Sequence, residues 1–224
     1  MRRTDTRGVS TIEFAFSLLV LVPMLLGTGA IGINMVRTQQ VIQLARDAGH
    51  MYARGLDVSQ PGNKTILRNI GADVGLSTTA GQGNAVVILS ELTYVDANQC
   101  AAVGAVDGSG NPTSACTNYT KWVFTQRLVI GNSSLRTSNF GSPLTSGPTG
   151  VTVNSTTGQI SQADYVTKAG AVATFSGVNP YSVVGGNVQG LPSGQVLYLA
   201  EAAATGFNMP PFVSNASPYS FAFF

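Results

Sequence analysis

The chain carries little charge: only 10% of its 224 residues are Asp, Glu, Lys or Arg, against about 25% in an ordinary soluble domain. Twelve basic residues face ten acidic ones. Such a balance makes no basic field that would hold a phosphate backbone, so nucleic acid is not an expected partner. Histidine occurs once, as His50, and cysteine twice. That excludes a Cys/His metal set, and no cofactor is expected. The sequence also lacks G-x-S-x-G, G-x-x-x-x-G-K-[ST] and H-E-x-x-H, the patterns that raise a serine nucleophile, cradle phosphates or bind zinc. Gly81-Gln82-Gly83 has no third glycine and precedes a strand pattern, so it reads as a turn. With the lone histidine on a helix, a Ser-His-Asp site elsewhere is excluded. No enzyme is expected. Gly, Ser, Thr and Asn take the place of charge, which suits a protein that assembles or sits outside the cytosol.

One long uncharged run stands out. Residues 14–36, FAFSLLVLVPMLLGTGAIGINMV, hold no charge, and as a helix they would span roughly 34 Å, enough for the hydrocarbon core. Twelve of them are Leu, Ile, Val or Phe, together worth very roughly −4 to −7 kcal/mol toward insertion. Arg2, Arg3 and Arg7 precede the run and Arg37, Arg46 and Arg54 follow it. The count is a tie, but the tight first cluster and the N-terminal amine favour an inside N-terminus. A secretory signal peptide is the rival, with residues 14–26 as its apolar region and Gly27–Ala30 as its cleavage site. Against it, apolar character resumes at Ile31, Ile33, Met35 and Val36, and Glu13 stands at the mouth of the run. Pro23 is expected to kink this helix. Gly27, Gly29 and Gly32 would permit close helix packing, or are simply tolerated there, as Gly and Pro often are in membrane helices.

Beyond the run, helical spacing continues. Val41, Ala45, Ala48 and Tyr52 share a face flanked by Leu44 and Met51, while Gln39, Gln43, Arg46, His50 and Arg54 share another. One helix is therefore expected from about Val9 to Leu56, ended by Gly55 and Ser59-Gln60-Pro61-Gly62. His50 reads as a solvated helix residue. Three later segments alternate like half-buried strands: 84–95, 121–130 and 195–203. Val86, Ile88, Leu92 and Tyr94 form one face of the first; Trp122, Phe124, Leu128 and Ile130 of the second; Val196, Tyr198, Ala200 and Ala202 of the third. The expected fold class is α+β: a long N-terminal helix, half membrane and half amphipathic, packed on a small antiparallel sheet that buries those faces. Insertions occupy 96–119 and 131–194, the second with a short helix near Gln162–Ala173. So long a tract is expected to be functional or mobile. The tail holds Phe212, Tyr219, Phe221, Phe223 and Phe224, expected to dock within the fold or on a partner. Cys100 and Cys116 are either two unrelated thiols or, if the region is exported, a disulfide.

The residues around the start of the helix have a familiar order. Arg7-Gly8-Val9-Ser10-Thr11-Ile12-Glu13-Phe14 resembles the cleavage motif of prepilins, in which a peptidase cuts after the glycine of a basic leader. Gln40 to Gly55 resembles the segment that follows the membrane helix in TadE-like proteins of tight-adherence pili, with Asp47 where Glu is usual. The resemblance covers about residues 1–55. It implies a leader at 1–8, a helix spine at 9–57 and an exported, β-rich domain at 58–224, in a pilin-like fold. It implies cleavage between Gly8 and Val9, and assembly roles for Glu13 and Phe14. The partners implied are a prepilin peptidase, other pilin subunits, the assembly platform and the membrane. The location implied is the bacterial inner membrane, N-terminus cytoplasmic and C-terminal domain periplasmic, or an extracellular pilus. Glu13 would sit one helical turn from the freed Val9 amine on the same face; otherwise it is an interfacial carboxylate facing headgroups. A tethered binding module that never polymerises is the alternative function.

Overall fold

The computed structural model describes residues 7–175, 183–184, 187–188, 194–214 and 216–224. Most of the expected leader and residues 176–182, 185–186 and 189–193 of the second insertion therefore lie outside the described residues. Helix α1 spans Arg7–Ala53 and passes through Pro23 without a break. At about 1.5 Å per residue it is roughly 70 Å long. It stops three residues short of the expected Leu56, for a local reason. Gly55 takes φ 81°, and the Gly55 and Leu56 amides donate back to the Tyr52 and Met51 carbonyls at 2.9 and 3.1 Å. This is a Schellman closure, which needs a left-handed residue just past the helix end.

Helix α2, Pro61–Ile70, follows at once. The sequence reading takes Pro61 as a terminator, yet it opens α2, a position where its missing N–H costs nothing. Strands β1 (Ala85–Tyr94), β2 (Trp122–Gly131), β3 (Val196–Ala204) and β4 (Tyr219–Phe223) form one sheet in the order β2-β1-β3-β4, with every pairing antiparallel. Short helices α3 (Ala97–Ala102) and α4 (Gln162–Thr167) lie in the two insertions, capped by the Asp96 and Ser161 side chains. The α+β architecture expected from the sequence is the one observed, with the first three strands placed to within a residue or so.

The faces are distributed differently. The lower half of α1 buries Val41, Leu44, Ala45, Ala48 and Tyr52 against Ala85, Val87 and Leu89 of β1, Leu128 and Ile130 of β2, and Ala200, Ala202 and Ala204 of β3. So the helix covers the β1 face opposite to Val86 and Ile88. Both β1 faces are apolar, and alternation alone cannot choose between them. In β2 the expected single face is split. Glu91 pairs with Gln126 but Leu92 with Phe124, so Thr125 is an extra residue on the β2 side. Such a bulge reverses the alternation. Trp122 and Phe124 consequently turn away from α1 while Leu128 and Ile130 turn toward it.

Alanines and Gly49 let helix and sheet come close. Ala45 and Ala48 are fully buried, and so is Ala200 opposite; a Cβ on Gly49 would run into the Phe224 ring. The helix runs antiparallel to β3. Arg37 donates to the Thr205 carbonyl at 2.7 Å just past one end, and Tyr52 meets Tyr198 edge-on at 5.2 Å near the other.

The opposite face of the sheet is closed by the insertions. Phe140, Val151, Ile160, Val166 and Ala171 pack on Trp122, Phe124, Leu197 and Leu199. The described part of the 131–194 tract is thus a second core layer. It also covers the β2 edge: the Arg127 amide donates to the Gly158 carbonyl at 2.9 Å and the Ile160 amide to the Thr125 carbonyl at 2.8 Å. Glu201, fully buried on β3, ties this layer down. It accepts from the Ser138 hydroxyl, from the Asn139 amide at 3.1 Å and from the Tyr219 hydroxyl at 2.6 Å. Arg136 stacks over the Tyr219 ring at 4.4 Å. Burial, then the bond to Glu201, pushes the Tyr219 phenol upward. Of the aromatic tail, Tyr219, Phe223 and Phe224 dock within the fold, where β4 extends the sheet and Phe223 touches Phe140 at 5.4 Å between ring centroids.

Candidate membrane anchor and assembly surface

The two halves of α1 differ in what surrounds them. From Ile12 to Val36 the large apolar side chains face outward, Phe14 being 65% exposed, Phe16 67% and Leu19 71%, while Ala30 is buried. The best 18-residue window has a mean hydropathy of 2.2 and is only 6% buried. A soluble core helix of that composition would be covered. Exposed over this length, it is a candidate membrane anchor. Glu13 lies exposed at its N-terminal edge, and its backbone carbonyl accepts from the Ser17 hydroxyl at 2.9 Å. Thr28 likewise returns its hydroxyl to the Met24 and Leu25 carbonyls, both at 3.0 Å. Both hydroxyls are satisfied within the helix, as a lipid-facing helix requires. Gly8 and Val9 lie within the first turn of α1, about one turn from Glu13.

Where the apolar stretch ends, the chain returns to meet it. The Asn34 amide donates to the Ala30 carbonyl at 3.2 Å and the Phe207 carbonyl at 3.0 Å, and accepts from the Phe207 amide at 2.8 Å. Asn34 therefore pins the 205–216 loop to the helix. His50 is exposed as expected, with its ring 4.5 Å from that of Phe224.

Cys100, on α3, and Cys116, in the turns after it, are at bonding distance, with Cα atoms 5.6 Å apart. Both are buried. Closing this loop is worth roughly 3 kcal/mol on the chain-entropy estimate. Labelling of denatured, unreduced chain purified from the membrane should find no free thiol. Quantitative labelling of both cysteines would show the pair to be reduced and would undercut export.

A polar cleft of about 810 Å³ opens between β1, β2 and the second insertion, lined by Glu91, Gln99, Gln126, Asn154, Asp164 and Tyr165 among others. Burial pushes the Glu91 carboxyl above the usual range, against the opposing bond from Thr125. Tyr52 closes a neighbouring hollow, its hydroxyl donating to Gln126 Oε1 at 2.7 Å; burial, then the charge of Glu91, raises its phenol. The buried Gln99 Oε1 has no hydrogen-bond partner. Asp164 is held below the usual range despite its burial, by Lys168 at 2.8 Å and the Thr152 amide at 2.7 Å.

These parts define a class: an α+β domain built on the lower half of a helix whose upper half is a single candidate membrane anchor. Residues 8–50 match the family model described as TadE-like protein. The matched stretch starts at the glycine of the cleavage-like motif and ends inside the buried half of α1, so it takes in both the anchor and the start of the sheet-packing face. No curated protein and no solved structure matches the chain.

Proposed function

We propose that this chain is a minor pilin-like subunit of a tight-adherence pilus. It is cut after Gly8 by a prepilin peptidase, held in the inner membrane by α1, and incorporated into the filament or into the complex that primes it. Its role is structural, without catalysis of its own. The observation that carries the reading is the coincidence of three features in one helix: the TadE-like match over 8–50, the exposed uncharged stretch, and Glu13 at its edge. A free-standing anchor needs no carboxylate there, where a charge is costly; a subunit with a new amine at Val9 has a use for one. The polar cleft favours a second reading, a tethered module that binds a neutral polar ligand without polymerising.

The mature N-terminus separates these. Mass spectrometry of the membrane-bound chain is expected to find Val9 first, and Gly8→Leu is expected to leave the precursor uncut. A start near Gly29–Ile31 would identify a secretory signal instead, and an intact N-terminus would favour the tethered module.

A further inference from the structure

The loop pinned by Asn34 does more than close the domain. From its anchor at Phe207 it runs back along α1 toward the N-terminus, and the Phe212 ring reaches Gly27, where an added Cβ would lie 3.1 Å from it. Gly27 is deep in the uncharged 14–36 run. The Asn34-to-Gly27 stretch of helix measures about 10 Å along its axis. The loop therefore lies beside the anchor over that distance. We infer that residues 209–213 enter the outer leaflet next to α1, so that the chain holds the bilayer by a non-helical wedge as well as by its helix. The inference rests on α1 spanning the membrane.

Depth agrees with this. In the uncut chain Arg7 and Arg37 are the basic residues nearest the two ends of the span, about 45 Å apart along a straight helix, which matches a bilayer with its headgroup zones. Centring that interval puts Gly27 about 7 Å beyond the midplane, and so about 7 Å inside the hydrocarbon boundary. Interfacial segments bury their apolar faces to about 5–10 Å. Asn34 falls in the headgroup zone on the same scale, where its amide is at home.

The tip of the loop, beyond the exposed Asn208, is also built for a medium without water. A backbone N–H in hydrocarbon must find a partner in the protein. At the tip, Met209 N–H donates to the Val213 carbonyl at 2.8 Å, and the Phe212 and Val213 N–H groups donate to the Met209 carbonyl, both at 3.0 Å. The two intervening residues, Pro210 and Pro211, have no N–H to satisfy. At the neck, Gly206 N–H donates to the Ala216 carbonyl at 2.7 Å and Phe207 N–H to Asn34. Gly206 is required here, because a Cβ would strike Ala216 and the side-chain Oδ1 of Asn34. No charged residue occurs after Glu201. Phe212, seated on Gly27, is still 37% exposed, an aromatic ring at a tip with no free backbone donor between Met209 and Val213.

The test uses the full chain in phosphatidylcholine vesicles, with Phe212→Trp as the depth probe and Leu21→Trp as the probe of the span. Trp122, the natural tryptophan, is buried in the domain and supplies a constant background measured in the unaltered chain. With lipid brominated along its acyl chains, added emission from both variants is expected to fall to about half, and acrylamide in the water should quench neither. Quenching at position 21 but not at 212 would overturn the wedge and leave the span intact. Loss of quenching at both would overturn the span itself. Protection of position 212 from bromine and acrylamide alike would mean that protein, a second copy included, covers the loop, and would equally overturn the proposal.

Discussion

Replacing Glu201 with Ala is expected to destabilise the domain by about 3 kcal/mol, the scale of removing one member of a buried, charged hydrogen-bond network. The carboxylate is fully buried, and three donors from two separate segments converge on it: Ser138, Asn139 and Tyr219. Alanine removes every acceptor at once. The Asn139 amide is fixed by the backbone and is left without its partner, whereas the Tyr219 hydroxyl, on a half-buried edge strand, can turn to water. Gln keeps one acceptor oxygen and should cost about half as much. Urea unfolding in detergent, followed through the buried Trp122, measures both variants. A shift of less than about 0.5 kcal/mol for the Ala variant would mean that water replaces the carboxylate without loss.

Glu13→Ala is expected to cut recovery of mature chain with sheared pili by tenfold or more, with cleavage and insertion unchanged. On the proposed reading, cutting after Gly8 creates an ammonium at Val9, four residues before Glu13 and on the same side of α1. In a single anchored chain both charges can reach the headgroups. In a filament they pack among apolar helices, where an unpartnered ammonium is costly; a penalty of about 1.4 kcal/mol per subunit already reduces incorporation tenfold. Insertion should be equal or slightly better, since Ala removes a charge from the membrane edge. Equal recovery of variant and wild type would make Glu13 an interfacial residue and take away the main physical support for polymerisation.

How much of this could be read from the residues depends on how local the signal is. The helix and the first three strands carry their own periodicity, and their positions follow directly. The fourth strand, Tyr219–Phe223, does not alternate cleanly in polarity, so only its tendency to dock is visible. The bulge at Thr125 leaves no mark in composition, and one extra residue was enough to send Trp122 and Phe124 to the face opposite Leu128. The second insertion reads as a loop because its apolar residues, Phe140, Val151, Ile160 and Val166, are spaced without period; what unites them is the sheet face they cover. The anchor and the cleavage-like motif lie within 30 residues of each other and are legible. The Asn34–Phe207 contact joins positions 173 apart, and nothing near either residue announces it. An uncharged tail containing Pro210-Pro211 is the one hint the sequence offered.

Because α1 is one continuous helix whose C-terminal half lies antiparallel to β3, the domain meets any pull on its anchor along the strands. Tension on the membrane half of the helix would load the Val41, Leu44, Ala45 and Ala48 contacts together, in shear, and the Arg37–Thr205 bond with them. No strand is peeled from the sheet by such a force. The joint between helix and sheet would therefore yield all at once at a high load or hold, a behaviour that suits the proposed role in a pilus.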